Sequence, residues 1–272
     1  MRRARPRGSI HSGGVSAGAY LLVFLAALVG GAVNSIAGGG TLITFPAIVW
    51  LGVPPISANA TSTVALWPGS FGSMWAYREE LAGARAWLVW FTAPSLAGGI
   101  VGAQLLLHTS ADGFDAIVPF LVLGATLLFL MQQPLSRRLV RRAPEEQDTR
   151  PELPRPSWWL LAGQFAVAVY GGYFGAGIGI LMLATLGAVG LTNIHRMNGI
   201  KNWGAMCINA IAALTFVLSG IVTWPVAAAM AAGGLAGGYG GARLALRVGQ
   251  KWVRRSVIAI GFLAFAWLVI SR

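Results

Sequence analysis

Hydrophobic positions along this chain come in long runs separated by short polar joints, and the plan is written twice. Runs near 17–37, 57–77, 86–107, 116–132, 158–176, 200–220, 224–246 and 255–271 fall in the range of about 17–25 residues that a helix needs to cross a bilayer. Two shorter apolar segments, 41–52 and 178–191, each follow a glycine-rich break, at Gly38-Gly39-Gly40 and at Gly177-Ile178-Gly179. At roughly 12 to 14 residues they are too short to cross alone and read as re-entrant or half-helices. The expected fold is an all-α polytopic membrane protein of about eight transmembrane helices plus two short broken helices.

The two breaks lie 139 residues apart. The same shift superposes Leu96-Ala97-Gly98-Gly99-x-x-Gly102-Ala103 on Leu235-Ala236-Gly237-Gly238-x-x-Gly241-Ala242, and Asn59 on Asn198. Matching interruptions in two halves are the sequence pointer to a binding site at a repeat interface. Residues 1–16 then form a basic cytoplasmic N-terminus, 17–136 the first four-span repeat, 137–157 a hydrophilic linker and 158–272 the second four-span repeat. Four spans per half is an even number, which predicts parallel halves related by an axis along the membrane normal.

Composition agrees with this plan. The 272 residues are 56% hydrophobic and only 10% charged, where soluble domains carry charge on about a quarter of their positions. The net charge of +12 does not point to nucleic acid, because the arginines flank spans, as the positive-inside rule requires. With the N-terminus inside, the cytoplasmic segments hold Arg2, Arg3, Arg5, Arg7, Arg78, Arg85, the six arginines of 137–155 and Arg272. Both termini are thus expected in the cytoplasm, which leaves Arg247, Lys251, Arg254 and Arg255 unaccounted for on the outer side. The single Cys207 lies within a span, so no disulfide framework exists. Trp87, Trp90, Trp158, Trp159, Trp224 and Trp252 sit near span ends, where their rings favour the headgroup level. Gly98, Gly99, Gly102 and their counterparts Gly237, Gly238, Gly241 stand at the spacing of close helix packing.

All eight acidic residues, Asp112 and Asp115 among them, fall in expected loops, so no span offers a carboxylate for a cation site or a proton relay. The spans instead hold neutral polar residues and one cation. Asn34 and Thr41 surround the first break; Asn59, Thr61 and Ser62 open the next helix; Asn198, Lys201 and Asn202 open the matching helix of the second half. Glycines leave backbone amides uncovered, and a short helix after the break turns its positive dipole end toward mid-membrane. The candidate substrate site is therefore Asn34, Gly38, Gly39, Gly40, Thr41, Asn59, Thr61, Ser62, Gly177, Gly179, Asn198, Lys201 and Asn202, and its chemistry suits a small anion. The competing reading of Lys201 is a side chain snorkelling to the interface. His195 and Arg196 read as loop residues, with a gating or proton-handling role for His195 as the lesser alternative. Without an intramembrane carboxylate, proton coupling would run through the substrate itself, His195 or Lys201.

Those residues also carry a resemblance. Ala37-Gly-Gly-Gly-Thr-Leu-Ile-Thr-Phe-Pro46 followed by Leu51-Gly-Val-Pro-Pro-x-x-Ala-Asn-Ala-Thr-Ser62 resembles the first signature of the sulfite exporter TauE/SafE family. Tyr170-Gly-Gly-Tyr-Phe-Gly-Ala-Gly-Ile-Gly179 and Asn198-Gly-Ile-Lys-Asn202 resemble its second. The similarity covers roughly residues 17 to 270. It implies an integral permease of a bacterial inner membrane that moves small sulfur-containing anions such as sulfite, sulfonates or related organic acids. The second half departs from the first in that Ile178 interrupts its glycines and Thr185 stands where Pro46 does.

The sequence contains no phosphate-binding loop, so transport would draw on a gradient rather than on ATP bound by this chain. No metal and no cofactor are expected. Three scattered histidines and one cysteine do not make a catalytic set, which disfavours an enzyme. A passive anion channel and a membrane assembly factor remain the alternatives. The partners expected are a small anionic substrate and membrane lipid, with no nucleic acid; a homo-oligomer is compatible with such a bundle.

Overall fold

The computed structural model describes residues 16–76, 78, 81, 84–141, 155–191, 193–248 and 250–270. The basic N-terminus, most of the 137–157 linker and the pair Glu79-Glu80 lie outside them. The described residues hold ten helices and no strand: α1 (Ala17–Ala37), α2 (Thr41–Trp50), α3 (Pro55–Ala76), α4 (Arg85–His108), α5 (Ala111–Arg141), α6 (Trp158–Tyr173), α7 (Ile178–Ala188), α8 (Ile194–Leu218), α9 (Trp224–Val248) and α10 (Gln250–Ile270). Segments of α1, α4, α5 and α8 are long and apolar enough to cross a membrane, and α2, α7 and 255–270 are shorter apolar helices.

Each half begins with the same device. The hydroxyl of Ser16 accepts the Ala19 N–H, and that of Ser157 accepts the Leu160 N–H, satisfying one of the donors left open at each helix start. Gly38 then stops α1 at a φ of +75°, with its N–H on the Asn34 carbonyl at 3.0 Å. Only glycine takes that conformation without strain. Beyond the break α2 runs back along α1: a Cβ built on Gly30 would stand 2.9 Å from the Thr44 methyl and 3.1 Å from the Gly40 carbonyl. Likewise α7 runs back along α6, with Gln164 beside Met182 and Gly171 beside Ile178.

Helix directions follow from these approaches. Gly98 of α4 meets Phe165 and Ala168 of α6, and Gly102 meets Val169 and Tyr173, so α4 and α6 are parallel. Gly204 of α8 lies by Ser95, and Ile208 and Ile211 lie by Gly99, so α8 shares that direction. On the other side Gly233 and Gly237 of α9 meet Phe24 and Leu28 of α1, while Gly69 and Gly72 of α3 meet Gly234 and Tyr239. The helices α1, α3 and α9 therefore form a second parallel set. The halves interlock, since the first helix of each packs on the fourth helix of the other, α1 on α9 and α6 on α4.

This geometry corrects the expectation of parallel halves. Two parallel halves would set α4 against α8, and α3 against α9, in opposite directions. They run the same way because each broken pair, α1–α2 and α6–α7, turns back on itself, a reversal that hydropathy does not record. Two smaller corrections accompany it. Asp112 and Asp115 belong to the exposed first turns of α5 rather than to a loop, where a negative charge complements the helix dipole. Trp87 is 2% exposed and stacked on Phe91 with ring centroids 6.0 Å apart, so it is core, whereas Trp90, Trp158, Trp159 and Trp224 are exposed as expected.

The core joins both halves. Phe45 of α2 meets Phe174 at the end of α6 edge-on with centroids 5.5 Å apart, and Phe129 of α5 lies against Gly39. Gly102 has no room for a side chain, because a Cβ there would overlap the Val169 carbonyl, whereas one on Gly124 would meet nothing within 4 Å. Gly102→Ala is expected to lower stability by about 1–3 kcal/mol through forced separation of α4 and α6. Gly124→Ala should change it by no more than about 0.5 kcal/mol. Thermal unfolding of the two purified variants in detergent checks both.

Candidate functional site

The two glycine breaks meet. The Gly177 N–H donates to the Gly38 carbonyl at 3.1 Å, and a Cβ on Gly38 would stand 2.7 Å from the Gly179 Cα and 2.8 Å from its N. Gly177 itself has a φ of +82° and opens α7. Gly39 is covered by the Phe129 ring and Gly40 by the Gly30 carbonyl. The tips of the α1–α2 and α6–α7 hairpins thus converge, as the matching breaks predict. They form a shut contact of backbone on backbone, however, and not an open cradle. Tyr170 steadies the second tip by donating its hydroxyl to the Ala176 carbonyl at 2.8 Å.

The polar residues of the first half are mostly engaged. Thr44 and Ser62 share a hydrogen bond at 2.5 Å, and Thr61 accepts the Thr223 N–H at 3.0 Å, capping the start of α9. Asn59, 1% exposed, donates Nδ2 to the Tyr173 carbonyl at 2.9 Å, which leaves its Oδ1 unpaired. Asn34 and Thr41 are half-buried beside the break. Thr61 is therefore a structural cap, and Asn59 ties α3 to the end of α6.

The second half differs in kind. Lys201 is 1% exposed, and its Nζ has no hydrogen-bond partner among the described residues. Snorkelling is excluded by that burial. Ile208, seven residues further along α8 and so on the same face, lies by Gly171 near the tip of the second hairpin. Lys201 consequently faces the α6–α7 hairpin about two helical turns, or ~10 Å, from the tip contact. Asn202, 5% exposed, also has an unpaired Nδ2, and Asn198 is half-buried one turn before Lys201.

Two further polar residues of this region escaped the sequence reading. Gln164 of α6 is fully buried and donates to the Ser95 hydroxyl at 2.9 Å, with its Oε1 unpaired. A lone glutamine inside an apolar run of 19 residues (158–176) was the available signal. Ser95 carried none, since a serine in a membrane helix most often bonds its own backbone. Among the described residues no group of three or more His, Cys, Asp or Glu could hold a metal ion.

An enclosed ammonium without a partner is an environment that asks for negative charge. That chemistry and the two-hairpin architecture stand beside a sequence match to the sulfite exporter TauE/SafE family over residues 23–268. The chain belongs to that family. Its curated relatives include a probable membrane transporter protein of Haemophilus influenzae, 28% identical over 253 residues that cover 91% of this chain and 93% of the relative. The probable membrane transporter protein YfcA of Escherichia coli K12 is also 28% identical, over 91% of this chain and 88% of its own length. The probable membrane transporter protein ORF9 of a Sinorhizobium species is 28% identical over 89% of both chains. No solved structure matches the chain. This member of the TauE/SafE family is thus an integral membrane protein of a transporter family.

A lysine buried without a partner destabilises the fold, whether it stays charged or gives up its proton. Lys201→Met keeps the length of the side chain and removes the amine. In the absence of added anion it is expected to raise stability by about 1–3 kcal/mol. The readout is thermal unfolding of the variant against the parent in anion-poor buffer.

Proposed function

We propose that this TauE/SafE protein is a carrier for a small anion, sulfur-containing as the family description suggests, with Lys201 as the charge that holds it. The observation that supports this reading best is the fully enclosed, unpartnered Lys201 ammonium in a transporter fold. Asn198 and Asn202 would complete the hydrogen bonds from α8. Separation of the hairpin tips would add the amide ends of α2 and α7, with Gly38, Gly39, Gly40, Thr41, Gly177 and Gly179 as their first residues. The shut tip contact favours a carrier over a standing pore, because something must part before a solute can pass.

The membrane arrangement proposed with it has inverted repeats. Each hairpin enters and leaves by one face, so each half makes three net crossings, through α3, α4 and α5 or through α8, α9 and α10. Three is odd, and the second half is upside down relative to the first. One face then carries Arg78, Arg85, the six arginines of 137–155, Arg196, Arg243, Arg247, Lys251, Arg254 and Arg255, while the face of the termini carries Arg2, Arg3, Arg5, Arg7 and Arg272. By the positive-inside rule the linker face is cytoplasmic and both termini lie outside, in a bacterial inner membrane. On this reading the termini lie on the side opposite to the one expected from the sequence, and 247–255 gains an explanation.

Two measurements test the proposal. Proteoliposomes should show saturable exchange of labelled sulfite, and Lys201→Met should reduce it by at least about tenfold, the effect of losing ~1.4 kcal/mol or more of anion binding. Unitary currents in place of exchange would establish a pore, and undiminished exchange in the variant would remove Lys201 from the site. For orientation, the only native cysteine, Cys207, is buried, so single cysteines at Ser9 and Ser157 can be read cleanly. In intact cells an impermeant maleimide should label the first and not the second.

A further inference from the structure

We propose that Lys201 is also the proton carrier of the transport cycle, so that each anion crosses together with one proton. The inference rests on the anion-carrier reading above and adds the coupling ion to it. Its ground is that no buried carboxylate stands by the ammonium among the described residues. The helices packed on α8 are α3, α4, α6 and α7. Neither α3 nor α7 contains a titratable residue. In α4 only Arg85 and His108 ionise, at its two ends, and His108 bonds the Gln104 carbonyl at the far end. In α6 only Tyr170 and Tyr173 do; the first donates to Ala176 and the second meets the Thr109 hydroxyl at 3.3 Å. On α8 itself stand His195, Arg196 and Cys207. Arg196 keeps its charge throughout, and the thiol of Cys207 can only become negative. Asp112 and Asp115 are exposed at the start of α5, so they do not neutralise the interior.

An ammonium enclosed in this way has two stable conditions. With an anion beside it, the pair is neutral as a unit. With the site empty, no buried counter-charge exists among the described residues, and a bare charge in a low-dielectric interior is relieved by losing the proton. Release of the anion is therefore followed by release of a proton on the same face. One N–H bond breaks, its electron pair stays on Nζ, and the proton passes to water. The neutral amine makes the return step and takes a proton from water on the loading face before the next anion binds. For a monoanion the cycle moves no net charge, and the loaded and empty carriers both cross in a neutral state. The carboxylates that usually couple transport to protons in membranes are replaced here by a single amine.

Methanesulfonate is the probe, because it stays a monoanion over the working pH range and cannot carry the proton itself. Proteoliposomes of the full chain are loaded with a pH-sensitive dye. The expected result is saturable methanesulfonate exchange, together with net uptake that acidifies the lumen by about one proton per anion and is indifferent to a clamped potassium diffusion potential. In Lys201→Arg the guanidinium keeps its proton, so the empty carrier should be trapped. Net uptake is expected to fall at least about tenfold further than exchange does. Exchange with net uptake but no proton movement, or uptake driven by the potential, overturns the coupling and leaves the carrier reading intact. Equal loss of exchange and net uptake in a folded Lys201→Arg protein also overturns it. Vesicles that exchange sulfite but not methanesulfonate overturn it too, since the proton then rides on the substrate. No exchange of either anion removes the carrier reading and this inference with it. Should the arginine variant fail to fold, the proton-to-anion ratio of the parent protein decides alone.

Discussion

Inside a bilayer no water reaches a backbone that stops short, so every helix end there must be satisfied by the protein itself. Two helix breaks within one bundle are the hardest case of that constraint, and here each answers the other. The Gly38 carbonyl, left open where α1 ends, accepts the Gly177 N–H, left open where α7 begins. The contact calls for glycine at both ends, at Gly38 for want of room and at Gly177 for its φ of +82°. A Cβ on Gly38 would press on Gly179, and one on Gly39 would overlap Phe129. The meeting of the tips in turn fixes the depth of both hairpins, and with it the places where α3 and α8 can start. Asn59 and Lys201 are both buried on those two helices.

Much of this was legible in the residues, and what was not has a physical reason. The breaks, their spacing and the short helices behind them were readable, because glycine clusters and run lengths are local properties. The helix bounds agree within a few residues for α2, α3, α4, α6 and α9. The direction of α2 and α7 was not readable. A hydropathy run has length but no sign, and whether ten residues continue forward or fold back depends on Gly30 and Gly171 admitting the returning chain. On the arrangement proposed above, that one missing sign inverts the second half and moves the termini to the opposite face. The anomaly at Arg247, Lys251, Arg254 and Arg255 was the trace of it in the sequence, since four cations on the wrong side argue against a topology rather than for an exception.

The candidate site shows a similar division. The residue types pointed to an anion, and Lys201, Asn59 and Asn202 proved to be buried. Their engagement could not be read in advance. Thr61 has the same chemistry as its neighbour Ser62, yet it serves to cap α9 from across the bundle, 162 residues away. Gln164 lay in plain view as the one amide of its run, but the partner that holds it, Ser95, sits on a helix from the other half.

The two halves keep one backbone plan and fill it with opposite chemistry. Under the shift of 139 residues Thr44 corresponds to Leu183 and Ser62 to Lys201. In the first half the two hydroxyls bond each other across α2 and α3, a closed pair that asks nothing of a ligand. In the second, α7 offers an apolar wall and α8 an ammonium with no partner. A symmetric bundle with two lysines would hold two positive charges near one tip contact, and their repulsion would oppose the meeting of the hairpins. A bundle with two hydroxyl pairs would have no charge with which to draw an anion out of water. One of each permits both the shut tip and the charged site, which gives a physical reason for the halves to have diverged at these positions while their glycines stayed alike.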